Sequence, residues 1–217
     1  MTFWDILLTL GKGAGYTILV TVASIGAGLA IGLALTVFGL VQWKTARAIL
    51  AAYTYVFRSI PVLVLLFIVF FGLPGAGIRI PPFLSMVLTL GLVSGAYLAE
   101  IFRGAIAAVS RDELLAAEAA GLSRGQRFYY IILPQMLRMS IPGMINEFTS
   151  ILKYTPFAYT VGIPEIMKEA MSLAALTLRG LEIYLAVGLI YFAVYKVFVI
   201  SFMALEKKYR IPGLAHD

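Results

Sequence analysis

Residues 16–40, YTILVTVASIGAGLAIGLALTVFGL, form a block without a single charged side chain, and this block most constrains the fold. A helix needs about 20 mostly apolar residues to cross the hydrocarbon core of a bilayer. Only 13% of the whole chain is charged, whereas soluble domains carry about 25%. The sequence therefore predicts an integral membrane protein.

Four further apolar blocks lie at about residues 48–72, 82–106, 136–155 and 181–205. Together the five blocks predict one all-α transmembrane domain over residues 1–217, with five membrane-spanning helices. Pro61, Pro142 and Gly143 predict bends within the second and fourth spans. Residues 166–178 are too polar in sum to span a bilayer and predict a short amphipathic helix.

Lys and Arg are concentrated beside one set of span ends, which predicts that this side faces the cytoplasm. The residues concerned are Lys44, Arg47, Arg58, Arg103, Arg111, Arg124, Arg127, Arg138, Lys207, Lys208 and Arg210. The other side has Lys12, Arg79, Lys153, Lys168 and Arg179, and the last three are matched by Glu165, Glu169 and Glu182. We therefore expect the N-terminus outside and both residues 107–135 and the C-terminus in the cytoplasm. The net charge of +6 then needs no nucleic-acid partner.

The sequence offers no chemistry for a cofactor or a reaction. There is no cysteine, and the single histidine, His216, has no cluster of further ligands beside it. The phosphate-binding pattern Gly-x4-Gly-Lys-Ser/Thr is absent, so we expect no ATPase activity and no metal in this chain. A membrane enzyme would also need a nucleophile–base or metal constellation, which the sequence lacks.

Residues 110–135 are polar and interrupt the apolar blocks; we call them the hairpin. Ser110 and Glu113 predict a capping box for a helix over residues 111–120, and Gly121 predicts its left-handed end. Ser123 and Gln126 repeat the start signal, and Pro134 is expected to end the second helix. The hairpin is consistent with a rigid docking element or with an ordinary solvated loop.

Several short stretches decide between these two interpretations. In the hairpin, two small residues at 116–117 precede Gly121, and Leu133-Pro134 closes the segment. This spacing is similar to that of the EAA loop of ATP-binding-cassette importer permeases. The polar amino-acid branch of that family resembles further stretches of this chain in the same order. These stretches are FRSIP (57–61), SGAYLAEIFRG (94–104), GLSRGQRFYYIILPQ (121–135), IPGMINEF (141–148) and LKYT (152–155).

This resemblance implies a subunit of a bacterial inner-membrane importer for polar amino acids or close relatives such as opines. An ATPase dimer would bind the ATP and Mg²⁺, and a periplasmic or lipid-anchored solute-binding protein would deliver the substrate. The hairpin would then supply coupling helices to the ATPase. The coupling residues that it implies are Ala116, Ala117, Gly121, Arg124, Arg127, Phe128, Ile131, Leu133 and Pro134.

The chain departs from the family pattern at several polar positions. Leu115 stands where the motif has an acid, because the visible Glu118-Ala119-Ala120 is out of register with Gly121. Apolar residues also replace expected polar ones at Ile60, Leu65 and Val93, and Tyr154-Thr155-Pro156 replaces the end of LKDTS. These losses favour a second, non-identical permease as partner; drift or a different substrate are the alternatives.

Charged side chains inside the predicted spans mark a candidate substrate path. Glu147, with its neighbour Asn146, lies about 16 Å from the start of the fourth span, where a charge is costly. The two residues either line the path or pair internally, for example with Lys196. Glu100 is one turn from Arg103 and can simply pair with it, and Lys153 lies toward the outer side. Arg58 is expected to anchor the cytoplasmic end of the second span.

A different class of function fits the same composition. An ATP-independent channel or secondary carrier for a small polar solute would also be an apolar helical bundle. Such a protein would transport without an associated ATPase, which distinguishes it from the importer subunit.

Overall fold

The computed structural model describes residues 2–40 and 43–209, and every regular element in these ranges is helical, which confirms the all-α prediction. Three of the helices continue into short π or 3-10 segments. The elements are α1 Phe3–Gly39, α2 Lys44–Ser59, α3 Val62–Phe67 (extended by Ile68–Gly72 and Leu73–Ala76), α4 Pro82–Ala107, α5 Arg111–Ala119, α6 Arg124–Arg127 (extended by Phe128–Ile132), α7 Leu133–Tyr154 (extended by Thr155–Val161), α8 Ile166–Thr177 and α9 Gly180–Tyr209.

Among the described residues, three helices are long and apolar enough to cross a membrane, namely α1, α4 and α9. The count rises to four if α2 and α3 with its extensions form one bent span. The sequence predicted five spans. The predicted fourth span corresponds to α7, which is not among the helices that are apolar enough to cross a membrane. It has 22 residues, but the polar and charged side chains along it, which include Arg138, Glu147 and Lys153, keep its mean hydropathy low.

The second predicted span, 48–72, is not one straight helix. It breaks at Ile60 and Pro61, both of which are extended, with ψ values of 127° and 134°. Proline disfavours the helical conformation of the residue before it and has no N–H to donate. The two halves therefore meet at an angle of 102°. The bend predicted from Pro61 is confirmed, and it is much sharper than a kink.

The first helix begins at Phe3, well before the predicted start at residue 16. Thr2 caps it: the Thr2 Oγ1 accepts from the Asp5 N–H, and the Asp5 carboxylate accepts from the Thr2 N–H. The added turns bury Ile6 and Leu10 against α8 and α9. We call this second core the outer cluster, and its buried residues are Ile6, Leu10, Ile166, Ala170, Leu173, Ile183, Ala186 and Val187.

The helices α1 and α4 cross closely and run parallel. A Cβ on Gly28 would clash with the Ser94 Oγ, and one on Gly32 would lie 2.7 Å from the Leu98 Cβ. Contacts between small residues of this kind let two helix backbones approach in a membrane. Because the contacts advance along both helices together, the N-terminus of α1 lies at the same end of the bundle as the N-terminus of α4. The hairpin follows α4 and so belongs to the opposite end.

A buried carboxylate joins the outer cluster to the rest of the bundle. Glu165 is fully buried and accepts hydrogen bonds from the N–H groups of Met167 and Lys168 and from the Tyr191 hydroxyl, each at 2.8 Å. Burial raises the pKa of the Glu165 carboxyl, while these hydrogen bonds act to lower it. The Ile166 N–H also donates to the Thr17 Oγ1 on α1. Glu165 thereby ties α8 to α9, and the adjacent Ile166 N–H ties α8 to α1.

Candidate functional site

The hairpin turns at Gly121, which has a left-handed φ of 81°. The Gly121 N–H donates to the Glu118 carbonyl at 2.9 Å, and the Leu122 N–H donates to the Ala117 carbonyl at 3.0 Å. Such bonds satisfy carbonyl groups at a helix end that would otherwise lack donors. The predicted end of the first short helix is confirmed, within one residue.

The capping box predicted at Ser110 is wrong. The Ser110 side chain makes no capping hydrogen bond to α5. The Glu113 carboxylate, which would complete the box, instead accepts from the Gln135 Nε2 at 2.5 Å. This bond joins the first turn of α5 to the first turn of α7, so Glu113 closes the base of the hairpin.

The second capping box is confirmed. The Ser123 Oγ accepts from the Gln126 N–H, and the Gln126 Oε1 accepts from the Ser123 N–H. The helix that starts there does not end at Pro134, contrary to the prediction. It passes through the wider π turn at 128–132 directly into α7, where Pro134 occupies the first turn. A π turn shifts the hydrogen-bond ladder, and proline is tolerated in a first helical turn because no partner is needed for its missing N–H.

An ion pair joins the two arms of the hairpin. The Arg127 Nη1 lies 2.6 Å from the Glu118 Oε2. The exposed fraction of the Arg127 side chain is only 17%, whereas that of Glu118 is 61%. We call this pair the clasp. It joins α5 to α6 across the corner of the hairpin.

Between the arms lies an open cleft of about 780 Å³. Small side chains of α5 form one wall, and larger side chains of the second arm form the other. The lining residues are Glu113, Ala116, Ala117, Ala120, Leu122, Tyr130, Ile131, Pro134, Gln135 and Arg138. The Glu113 carboxylate and the Arg138 guanidinium thus border a surface that is otherwise mainly apolar.

The structure places the predicted coupling residues in three groups. Four of them line the cleft, namely Ala116, Ala117, Ile131 and Pro134. Gly121 forms the corner and Arg127 the clasp. Leu133 packs against the main hydrophobic core of the bundle, and Arg124 and Phe128 lie on α6 and at the start of its π turn.

Because Leu133 and the neighbouring Met136 contact that core, the second arm is physically continuous with the transmembrane bundle. Met136 is fully buried in it. A displacement of the hairpin would therefore be passed to α7 through packed side chains and a continuous helix. This is the mechanical property that a coupling element requires.

The predicted path residue Glu147 is only 7% exposed. It does not pair with Lys196, whose ammonium group lies over the Phe192 ring at 5.4 Å. The Arg58 guanidinium acts electrostatically on the Glu147 carboxylate, although the two do not form an ion pair. The exposed Arg58 lies in the last turn of α2, where its guanidinium stacks over the Tyr97 ring at 4.8 Å, beside the break between α2 and α3.

The other three predicted path residues have separate surroundings. Asn146 is exposed, and its carbonyl accepts from the hydroxyls of Thr149 and Ser150. Glu100 forms an ion pair with Arg103, as expected from their spacing. The Lys153 ammonium group lies over the Tyr195 ring at 5.5 Å.

Sequence reasoning missed two hydrogen bonds, from Gln135 to Glu113 and from Tyr191 to Glu165, and the stacking of Arg58 over Tyr97. Their partners lie far apart in the chain, so neither helical periodicity nor motif spacing signals them. Within the described ranges no group of acidic or histidine side chains is arranged to hold a metal ion. His216 lies outside the described residues.

Residues 24–211 match the family described as "Binding-protein-dependent transport system inner membrane component". The probable amino-acid ABC transporter permease protein YckA of Bacillus subtilis (strain 168) is 33% identical over 91% of this chain and 88% of its own length. The glutamine transport system permease protein GlnP of Escherichia coli (strain K12) is 31% identical over 96% of each chain.

A solved structure has the same fold. It is the crystal structure of an amino acid ABC transporter with histidines, and one of its chains superposes with a TM-score of 0.88 at 27% identity. The alignment covers 96% of this chain and 99% of that one. The family match covers most of the chain, and the matched residues include the hairpin and most of the bundle described above. This protein therefore belongs to the family of inner membrane components of binding-protein-dependent transport systems.

Proposed function

We propose that this chain is a permease subunit of an ATP-driven importer for polar amino acids in the bacterial inner membrane. The observation that carries the proposal is the clasped hairpin: two short helical arms joined by an ion pair, with an open cleft between them, continuous with α7 and packed onto the core. The membership of the family and the amino-acid transporters among its relatives support the same conclusion.

In this proposal the hairpin faces the cytoplasm and meets an ATPase subunit that binds ATP and Mg²⁺. Ala116, Ala117, Ile131 and Pro134 supply the apolar surface of the cleft, and Arg124 supplies an exposed cation. The opposite end of the bundle, with α8 and the start of α1, faces the periplasm and the solute-binding protein. The excess of Lys and Arg at the hairpin end supports this orientation.

The substrate path is proposed to pass the bend between α2 and α3. Arg58 lies at this bend, beside Tyr97, and the buried Glu147 lies within reach of its charge. An amino acid carries one carboxylate and one ammonium group, so a cation and an anion near each other inside a bundle offer complementary partners. Asn146, Glu100 and Lys153 are proposed to lie along the same path toward its two ends.

A second permease completes the path, and we propose that it is a different chain. The apolar residues at 60, 65 and 93 remove polar groups that a substrate site would use, and Val93 is buried between helices. A partner with polar residues at the matching positions would compensate for this loss. A second, similar permease gene beside this one would support the heterodimer, and a purified complex with two copies of this chain alone would contradict it.

Replacing Glu147 with glutamine should lower ATP-driven uptake by roughly tenfold, which corresponds to about 1.4 kcal/mol of lost stabilisation of the transported cation. The measurement is the initial rate of labelled amino-acid uptake into membrane vesicles, at equal amounts of permease. Glu182→Gln is the matched control, because Glu182 is ion-paired at the start of α9, away from the bend. Wild-type uptake by the Glu147 variant would remove this residue from the path.

A further inference from the structure

The turn that joins α8 to α9 exposes three leucines to an unusual extent. The exposed fractions are 83% for Leu176, 90% for Leu178 and 77% for Leu181. We call these residues the leucine tip. At such exposures the side chains make almost no contacts within this chain, so they do not serve its internal packing.

Leu178 also has a left-handed backbone, with φ 56° and ψ 18°. A non-glycine residue is strained in this conformation, and glycine or asparagine could end α8 with less strain. The Leu178 N–H donates to the Ala174 carbonyl at 2.9 Å, which closes the helix. Leu178 therefore combines a strained backbone with an exposed apolar side chain. An apolar environment outside the chain would offset the cost of exposing this side chain to water.

The tip continues an exposed apolar stripe along α9. Leu181, Leu185, Leu189 and Phe192 follow one another at intervals of four, four and three residues, which places them on one helix face. All four are more than half exposed. Because α9 is a candidate membrane span with only 17% of its most apolar stretch buried inside the chain, this stripe is left open for contact with lipid. Leu178 extends it beyond the first residue of the helix.

The surroundings of the tip have the composition of a membrane–water boundary. Tyr184 is exposed one turn into α9, and Arg179 and Glu182 form an ion pair beside the tip. Trp4 is exposed at the start of α1, which packs against α8 and α9 through the outer cluster. Tryptophan and tyrosine are enriched where the headgroup region meets the hydrocarbon core.

We propose that the leucine tip inserts into the hydrocarbon edge of the bilayer and anchors the turn between α8 and α9 to the lipid. Leucine gains about 25 cal/mol for each Å² that leaves water, which favours insertion of all three side chains. The outer cluster and Glu165 connect this turn to α1 and α9, so the anchor sets the depth of that end of the bundle. A second copy of the chain or another protein subunit are the competing occupants of this surface.

Because the chain has no cysteine, a single Leu178→Cys substitution can carry a nitroxide spin label without further changes. The labelled protein is reconstituted in vesicles of phosphatidylethanolamine and phosphatidylglycerol. Collision with oxygen, which concentrates in lipid, is compared with collision with a water-soluble nickel chelate. Leu185→Cys, on the lipid-facing stripe, and Gly125→Cys, exposed on the hairpin, provide the lipid and water references.

We expect the label at position 178 to behave like the label at position 185. It should be accessible to oxygen, and its collision rate with the nickel chelate should be several-fold lower than that of the label at position 125. Access to nickel equal to that at 125 would overturn the proposal, because the tip would then lie in water. Protection from both reagents would also overturn it, because the tip would then be covered by protein. Leu176→Cys repeats the measurement at a helical position without backbone strain and should give the same result.

Discussion

Gly13→Ala is expected to destabilise the protein by about 1–3 kcal/mol, the range typical of overpacked sites. A Cβ at Gly13 would lie 2.6 Å from the Glu165 carbonyl carbon and 2.6 Å from the Ile166 nitrogen. Both are backbone atoms, so no side-chain rotation can relieve the contact. The first turn of α8 would have to move away from α1, which would strain the hydrogen bonds that bury Glu165.

The chain provides two matched controls on the same helix. A Cβ at Gly11 or Gly15 meets nothing within 4 Å, so alanine at either position should be neutral or slightly stabilising. The measurement is thermal unfolding in detergent, followed by tryptophan fluorescence, since Trp4 lies on α1 close to the outer cluster. For a chain of this size 1 kcal/mol shifts Tm by roughly 2–4 °C. Equal melting temperatures for all three variants would contradict the close contact between α1 and α8.

Arg127→Glu is expected to abolish most ATP-dependent uptake, by about tenfold or more, and to weaken co-purification of the ATPase. The substitution places two carboxylates together where the clasp has an ion pair, so α5 and α6 should separate and the cleft should change shape. The measurements are uptake at equal permease abundance and recovery of the ATPase from solubilised membranes.

A charge swap tests how Arg127 acts. Its side chain is largely enclosed within the hairpin, so we attribute its effect to the clasp and not to direct contact with the ATPase. Combining Arg127→Glu with Glu118→Arg restores the ion pair with reversed polarity and should recover much of the uptake. A double variant as inactive as Arg127→Glu alone would show that the clasp is not the reason.

Much of the architecture follows from local sequence signals. Gly121, with its positive φ, and the reciprocal bonds of Ser123 and Gln126 are short-range features, and the sequence predicts both correctly. The apolar block at 82–106 likewise coincides with α4 because Pro81 and Pro82 define its start. Helix ends and turns depend on residues within a few positions of one another, which makes them accessible to pattern reasoning.

The errors arise where distant residues compete with local signals. Glu113 fits a local capping box, but Gln135 offers it a partner on the far arm. Pro134 is a helix terminator by local rules, yet a preceding π turn lets the helix continue through it. By contrast, the early start of α1 is marked locally by the Thr2–Asp5 capping box, a signal that sequence reasoning missed, and the added turns bury Ile6 and Leu10 against α8 and α9.

In the candidate site, too, local features could be predicted from the sequence, whereas contacts between distant residues could not. The small residues of the cleft wall could be identified from the hairpin spacing and the family resemblance. The contact of Arg58 with the Tyr97 ring could not, because the two side chains belong to different helices and no local pattern signals their contact. The predicted pair between Glu147 and Lys196 is not formed, because the Lys196 ammonium group lies over the Phe192 ring on its own helix.

The most direct test of an ATP-driven permease is reconstitution of the complete complex. This chain, the ATPase, the second permease and the solute-binding protein are placed in proteoliposomes, and uptake of a labelled polar amino acid is measured with ATP and with a non-hydrolysable analogue. Our account predicts uptake with ATP and only background accumulation with the analogue. Equal uptake in both conditions would contradict it and would identify the protein as a channel or secondary carrier.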